Sequence, residues 1–154
     1  METERLTIRK TTEKDVGLIF DFIKGLASYE KRPWDVTGSL ETLGFWLFEK
    51  KVATAVIAEY DGLAVGYAIY YPVFGSFSAV VNAHLEDLFI KPEYRRKGLG
   101  KEFFSGLSKM LKSEGFSKLE WSCLDWNTPS IGFYNRLGAK QEKGRVYFEY
   151  ELNG

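Results

Sequence analysis

An apolar strand that ends in a basic, glycine-punctuated turn and opens directly into an amphipathic helix is what most narrows the folds open to this chain. The residues run Leu85-Glu86-Asp87-Leu88-Phe89-Ile90-Lys91-Pro92-Glu93-Tyr94-Arg95-Arg96-Lys97-Gly98-Leu99-Gly100-Lys101, and Phe103, Leu107, Met110 and Leu111 then share a helix face with Leu99. Such a junction gathers unpaired backbone N–H groups, the positive end of a helix and cationic side chains at one point. It suits a polyanion, and a pyrophosphate-bearing cofactor is the natural candidate. From Lys91 to Lys101 five basic residues stand against one acid, Glu93, although the 21 Lys and Arg of the chain balance its 21 Asp and Glu. A local basic turn in a neutral protein points to a small anionic ligand rather than to nucleic acid or an anionic membrane.

The remaining pattern reads as a single α/β domain over all 154 residues. Leu6 to Arg9 is a short strand. Thr12 offers an N-cap with Asp15 at the third helical position, and Val16, Ile19, Phe20, Ile23, Leu26 and Ala27 follow at helical spacing, ahead of Pro33. A second helix is expected over about Ser39 to Phe48. Val52–Tyr60 and Leu63–Tyr71 read as a hairpin joined by Asp61-Gly62, and a loop over Pro72–Ser78 leads to a strand over Ala79–Ile90. After the central helix, stopped by Gly115, Leu119, Trp121 and Cys123 alternate on a strand. Thr128-Pro129 starts a helix that Gly138 ends, and Val146, Phe148, Tyr150 and Leu152 alternate on a last strand. The order β-α-α-β-β-β-α-β-α-β implies a mixed, mostly antiparallel sheet flanked by helices, with one parallel crossover through the central helix. One Cys and one His make an all-protein zinc site implausible, no stretch is apolar enough to span a membrane, and no signal peptide is recognisable, so a cytoplasmic location is expected.

Two familiar phosphate loops are excluded by position. A Walker A loop ending at Gly100-Lys101 needs Gly at 95 and Ser or Thr at 102, which are Arg95 and Glu102. A dinucleotide fingerprint starting at Gly98 needs Gly or Ala at 103, which is Phe103. What remains is Arg95-x-x-Gly98-x-Gly100, whose glycines let phosphates approach the backbone. Together with its strand and Asn127-Thr128-Pro129-Ser130-Ile131-Gly132-Phe133-Tyr134, this loop resembles the GNAT acyltransferase superfamily over nearly the whole chain. Ala27-Ser28-Tyr29-Glu30, Leu85–Phe89 and Asp125–Asn127 with Arg136–Ala139 make it most similar to the diamine (spermidine/spermine) and thialysine N-acetyltransferase group.

The resemblance implies acetyl-CoA as cofactor, held by Leu88, Phe89, Ile90, Arg95, Arg96, Lys97, Gly98, Leu99, Gly100, Lys101, Asn127, Pro129, Ser130 and Tyr134. It implies that Tyr134 is the general acid for the departing thiolate, and a phenol at ~10 keeps its proton at neutral pH. Asn127 and Tyr134 lie seven residues apart, on one helix face. Glu86 is implied beside the acceptor amine, holding the cation and relaying its proton. Asp87, next along the strand, is expected on the opposite face of the sheet. Tyr29, Glu30, Asp87 and Glu142 complete the implied acceptor site; plain surface carboxylates remain the alternative for Glu30 and Glu142. His84 stands where relatives have an aromatic and reads as a packing substitution rather than a base. Two departures fall on the acceptor side: Pro72–Ser78 carries no acid, and Gly144-Arg145 replaces a Trp-Arg pair. The implied activity is acetylation of a small cationic amine, a polyamine or a lysine-like amine, by a homodimer. A protein lysine or an aminoglycoside as acceptor, and a non-catalytic acyl-CoA-binding module, are the alternatives.

Overall fold

The computed structural model describes residues 6–153, which fall into two compact units, one reaching to Ser122 and one beginning at Cys123. In the first unit β1 (Leu6–Lys10) leads to α1 (Val16–Tyr29) and α2 (Leu40–Gly44), the latter continuing as one π turn over Phe45–Glu49. β2 (Thr54–Tyr60), β3 (Leu63–Gly75) and β4 (Val80–Ile90) follow, then α3 (Leu99–Ser113) and a two-residue β5 (Leu119–Glu120). The five strands lie in sequence order, antiparallel except for the parallel β4–β5 pair. This is the mixed sheet with one parallel crossover that the sequence implied. The second unit holds α4 (Thr128–Arg136).

Local chemistry explains most boundaries. Thr12 and Asp15 form a reciprocal capping box, and the Asp15 carboxylate is also held by the Arg9 guanidinium at 2.9 Å, tying the helix entry to β1. Asp61 and Gly62 both take positive φ, 54° and 77°, as a two-residue turn of the primed type requires, and Tyr60 pairs with Leu63 across it. β3 extends through Pro72 to Gly75, which corrects the loop expected at Pro72–Ser78. Beyond Tyr70 the strand has passed the end of β2 and pairs with β4 alone, so Pro72 removes no ladder bond on its other side. A second correction concerns the last strand. Residues 139–152 form no helix or strand, and Val146, Tyr147, Phe148, Tyr150 and Leu152 are 77–90% exposed. The alternation is present in the sequence, but a strand needs a ladder partner, and among the described residues it has none.

Each face of the sheet carries its own core. Ala58, Val65, Ala68, Tyr70, Ala83, Leu85 and Ile90 meet Phe103, Leu107 and Leu111 of α3 on one face. Ile57, Tyr67, Ile69 and Phe89 meet Ile19 and Phe22 of α1 and Leu47 on the other. β3 and β4 leave no room for a side chain at Gly66: a Cβ there would overlap the Phe89 carbonyl oxygen and sit 3.2 Å from the Ile90 Cα. Neither neighbour is a flexible side chain, so the backbone itself would have to move. Gly66→Ala should lower stability by about 1–3 kcal/mol, read as a fall in the urea midpoint at unchanged slope. A variant as stable as the parent would show that β4 tolerates displacement.

Candidate active site

β4 carries the site because it carries a bulge. Its register against β3 runs Tyr70 with Leu85 and Ile69 with Asp87, leaving Glu86 as an extra residue opposite no partner. An extra residue inverts the alternation that follows it. Ala83 and Leu85 face α3, as do Leu88 and Ile90 further on, whereas Phe89 packs in the α1 core. His84 is therefore on the α1 face, and Glu86 stays with it, its Oε1 3.7 Å from His84 Nε2. Asp87 is on the α1 face too: it accepts a 2.8 Å hydrogen bond from the hydroxyl of Tyr67, a buried member of that core. The expectation that Glu86 and Asp87 face opposite sides is thus corrected. Simple alternation failed because the bulge placed both carboxylates on one face.

Glu30, immediately after α1, joins them. Burial chiefly, then the neighbouring charges of Asp87, Glu30 and Glu86, push the Tyr67 hydroxyl far up, so it stays a neutral donor. Asp87 is itself pushed up to about 6, by burial first, against the opposing pull of the Tyr67 hydrogen bond and reinforced by Glu86 and Glu30. Burial likewise raises Glu30, with Arg32 acting the other way. Three carboxylates from two parts of the sequence therefore share one field, and a cation entering it relieves their mutual repulsion. Tyr71 flanks the cluster. Its ring is 4.9 Å from that of His84, and burial, followed by the charges of Glu86 and Glu120, raises its hydroxyl.

The glycine-punctuated turn lies at the end of the same strand. Arg95 Nε donates to the Ile90 carbonyl at 2.9 Å, and its guanidinium stacks 4.4 Å from the Tyr29 ring and 5.2 Å from that of Phe89. Arg95 and Tyr29, expected at cofactor and acceptor respectively, are thus packed against each other. Arg96 takes φ 66°, a strained value for a side-chain-bearing residue, and Gly98 takes φ 75° at the N-cap of α3. A Cβ built on Gly98 would meet nothing within 4 Å, so this cradle is open. The first-turn amides of α3, including those of Leu99, Gly100 and Lys101, have no intrahelical partner, and Arg96, Lys97 and Lys101 add positive charge. The Leu99 side chain is buried, leaving only its backbone for a ligand. β5 pairs β4 only at Ala83 and His84, so the stretch carrying Leu88, Phe89 and Ile90 runs past the end of that ladder. The alternating Leu119, Trp121 and Cys123 were expected to form a longer strand; the ladder ends where β4 enters its bulge.

In the second unit Asn127 is the N-cap of α4, its Oδ1 accepting from Ser130 N at 3.3 Å, and Pro129 takes the second helical position. This shifts the expected helix start by one residue and gives the Asn127 side chain a capping role. Tyr134 is half-buried, its ring 5.7 Å from that of Phe133. Glu142 is exposed and belongs to this unit. Sequence reasoning missed Tyr67, Tyr71 and Glu120. Counting back along the hairpin from Asp87 would have found the tyrosines, had the bulge been known.

A family model, acetyltransferase (GNAT) family, matches residues 21–139. The chain belongs to that family. This acetyltransferase is 33% identical over 156 aligned residues to the thialysine N-epsilon-acetyltransferase of Mus musculus, covering 94% of this chain and 91% of the relative. It is 35% identical to the L-ornithine N5-acetyltransferase NATA1 of Arabidopsis thaliana over 92 residues, 60% of this chain and 38% of that one. Among solved structures, the aminoglycoside N-acetyltransferase AAC(6')-Iy in complex with CoA superposes with a TM-score of 0.75 at 19% identity, covering 98% and 97% of the two chains. The fold is therefore that of the family, and the non-catalytic alternative is set aside.

The burial of Asp87 has a measurable consequence. A carboxyl lifted from an ordinary ~3.9 to about 6 binds protons more tightly folded than unfolded, so the contribution of Asp87 to stability is greatest below pH ~4 and is lost as pH rises through 6. Asp87→Asn keeps an acceptor for Tyr67 and removes the charge. It should match the parent near pH 4 and exceed it above pH 7 by up to about 3 kcal/mol, measured by urea unfolding at both values. A parent as stable as the variant at pH 8 would mean that Asp87 is not desolvated.

Proposed function

We propose that this acetyltransferase transfers the acetyl group of acetyl-CoA to the primary amine of a small cationic acceptor, a polyamine or a lysine-like amine such as thialysine. In this reading the whole chain works as one acetyltransferase domain in the cytoplasm; among the described residues no helix is long and apolar enough to cross a membrane. One observation carries the acceptor class: the bulge gathers Glu86 and Asp87, with Glu30, on one face of the sheet. The thialysine and ornithine acetyltransferases among its relatives support it. For the acyl donor, support comes from the open cradle at Gly98, the first-turn amides of α3 and the cations of Arg96, Lys97 and Lys101.

The chemistry divides between the bulge of β4 and the turn that follows it. An acetyl thioester supplies the activated acyl group when bound. The backbone of Gly98–Lys101 takes the pyrophosphate, and Leu88–Ile90 offer strand edge to the rest of the cofactor, with Asn127, Pro129 and Ser130 at the start of α4. An alkylammonium at ~10.4 lies about 3.4 units above neutral pH, so its nucleophilic form costs roughly 4.6 kcal/mol. Glu86 holds the ammonium and relays its proton through water, Asp87 and Glu30 fix its place, and Tyr134 donates a proton to the departing sulfur. Glu142 and Tyr29 are assigned to the outer acceptor site. CoA release from acetyl-CoA should be stimulated by thialysine, lysine and spermidine, with the shorter lysine-like amines at least as good as spermine. Glu30→Gln should raise the acceptor KM roughly ten- to a hundredfold and leave the acetyl-CoA KM alone. Preference for a neutral acceptor, indifferent to Glu30→Gln, would overturn the cationic reading.

We also propose that two copies associate through the exposed segment that ends the second unit. Tyr147, Phe148 and Tyr150 are 89–90% exposed on a stretch that, among the described residues, has no ladder partner. At roughly 150–250 Å² per aromatic ring, three rings from each of two copies offer about 900–1,500 Å², comparable to the ~1,200–2,000 Å² of a stable interface. A two-fold arrangement satisfies both segments at once and closes the assembly. Light scattering at micromolar concentration should give twice the 17.7 kDa chain mass, and the double variant Phe148→Asp, Tyr150→Asp should give one. A monomeric, fully active parent would remove this assembly.

A further inference from the structure

We propose that His84 is the proton outlet of the acceptor site, taking from Glu86 the proton that the acceptor ammonium gives up. The proposal rests on the acetyltransferase reading above and supplies what that reading lacks. An ordinary carboxyl at ~4.3 lies about six units below an alkylammonium at ~10.4, whereas an ordinary imidazole at ~6.5 lies about four below it. A carboxylate that passes its proton on to an imidazole faces a shallower climb than a carboxylate that must keep it.

The geometry provides the relay. His84 Nε2 stands 3.7 Å from Glu86 Oε1 and Nδ1 stands 4.0 Å from Glu120 Oε2, so each ring nitrogen faces a carboxylate, one on β4 and one on β5. Both gaps exceed a direct hydrogen bond and fall within reach of one bridging water or a small side-chain rotation. The ring is fixed by contact with Tyr71 at 4.9 Å and is about a quarter exposed, which leaves a way to solvent. The titratable groups around it are Glu86 on its own strand, Tyr71 on β3 and Glu120 on β5, with Asp87, Tyr67 and Glu30 beyond Glu86. None of these groups is cationic.

The protons balance. The acceptor enters as an ammonium with three N–H bonds and leaves as an amide with one. One proton goes with the C–S bond's electron pair to make the thiol of CoA, the step assigned to Tyr134. The other is released to solvent, through Glu86, His84 and the Glu120 side of the ring. In this scheme His84 acts through Glu86, so it is a positioning residue and not a catalytic one.

His84 is the one histidine of the chain, which makes its ring signals unambiguous in NMR. Because Glu86 and Glu120 face its two nitrogens, the ring's ¹H and ¹⁵N signals should shift in Glu86→Gln and in Glu120→Gln; no change in either would overturn the proposal, and this test does not depend on turnover. In the enzyme assay His84→Phe keeps an aromatic ring against Tyr71. It should lower kcat for the acceptor by ~10²-fold at pH 7, shift the acidic limb of the kcat/KM profile and leave the acetyl-CoA KM unchanged. His84→Ala should regain turnover when imidazole is added to the buffer. A His84→Phe enzyme with the parent's kcat and pH profile would make His84 a packing residue only. If the parent releases CoA with no amine while the ring still responds to Glu86→Gln, it is the acceptor assignment that fails and not the coupling.

Discussion

One unpaired residue in β4 sets the arrangement of the first unit's site. With Glu86 inserted between Leu85 and Asp87, the strand changes phase: residues before it keep odd numbers toward α3, and residues after it present even numbers there. The shift lets Leu85 and Leu88 pack with one core while His84, Glu86 and Asp87 all emerge on the other face. Without it one of the two adjacent acids would point into the apolar layer under α3, where an unpaired carboxylate costs several kcal/mol. The parallel β5 ladder stops at His84, just before the bulge, so a single irregularity both clusters the acids and precedes the stretch of β4 that runs on beyond its neighbour.

Arg95 joins the two ends of this strand's chemistry. Its Nε holds the last carbonyl of β4, and its plane covers Tyr29 at the end of α1, the residue before Glu30. The turn after β4 is therefore anchored to the same helix end that delivers a carboxylate to the acid cluster. Arg96 and Gly98, just after this anchor, take left-handed backbone. Glycine accepts this conformation freely, whereas Arg96 holds it at a cost of about 1–2 kcal/mol, which the surrounding contacts must offset. Strain beside an open cradle is typical of backbone arranged for a ligand.

Periodicity and turn chemistry were enough for the elements that pack. The Thr12 capping box, the Asp61-Gly62 turn, the apolar face of α3 and the parallel return to Leu119 all follow from residues within a few positions of one another. What local patterns could not supply were features decided across strands. A bulge is a mismatch of register between β3 and β4, and nothing in Leu85-Glu86-Asp87 alone announces it. The continuation of β3 through Pro72 depends on where β2 ends. The alternation of Val146, Phe148, Tyr150 and Leu152 states a preference for a strand, yet whether it becomes one depends on a partner edge that lies outside those residues. His84 shows the same limit: its type and position suggest packing, and its two facing carboxylates come from the bulge and from a different strand.

The neutrality of the chain conceals two opposite local fields on one strand. Glu86 and Asp87 are four and three residues before Ile90, and the basic turn begins at Lys91. At ~3.3 Å per residue, about 13 Å of strand separates Glu86 from Ile90, somewhat more than the ~8 Å over which physiological salt screens a charge. The carboxylates and the basic turn therefore act largely independently instead of neutralising one another as a direct ion pair would. In the proposed reading a cation is drawn to the bulge and a polyanion to the turn, and β4 fixes the distance between them. Net charge could not reveal this, because it sums over the very separation that gives the strand its use.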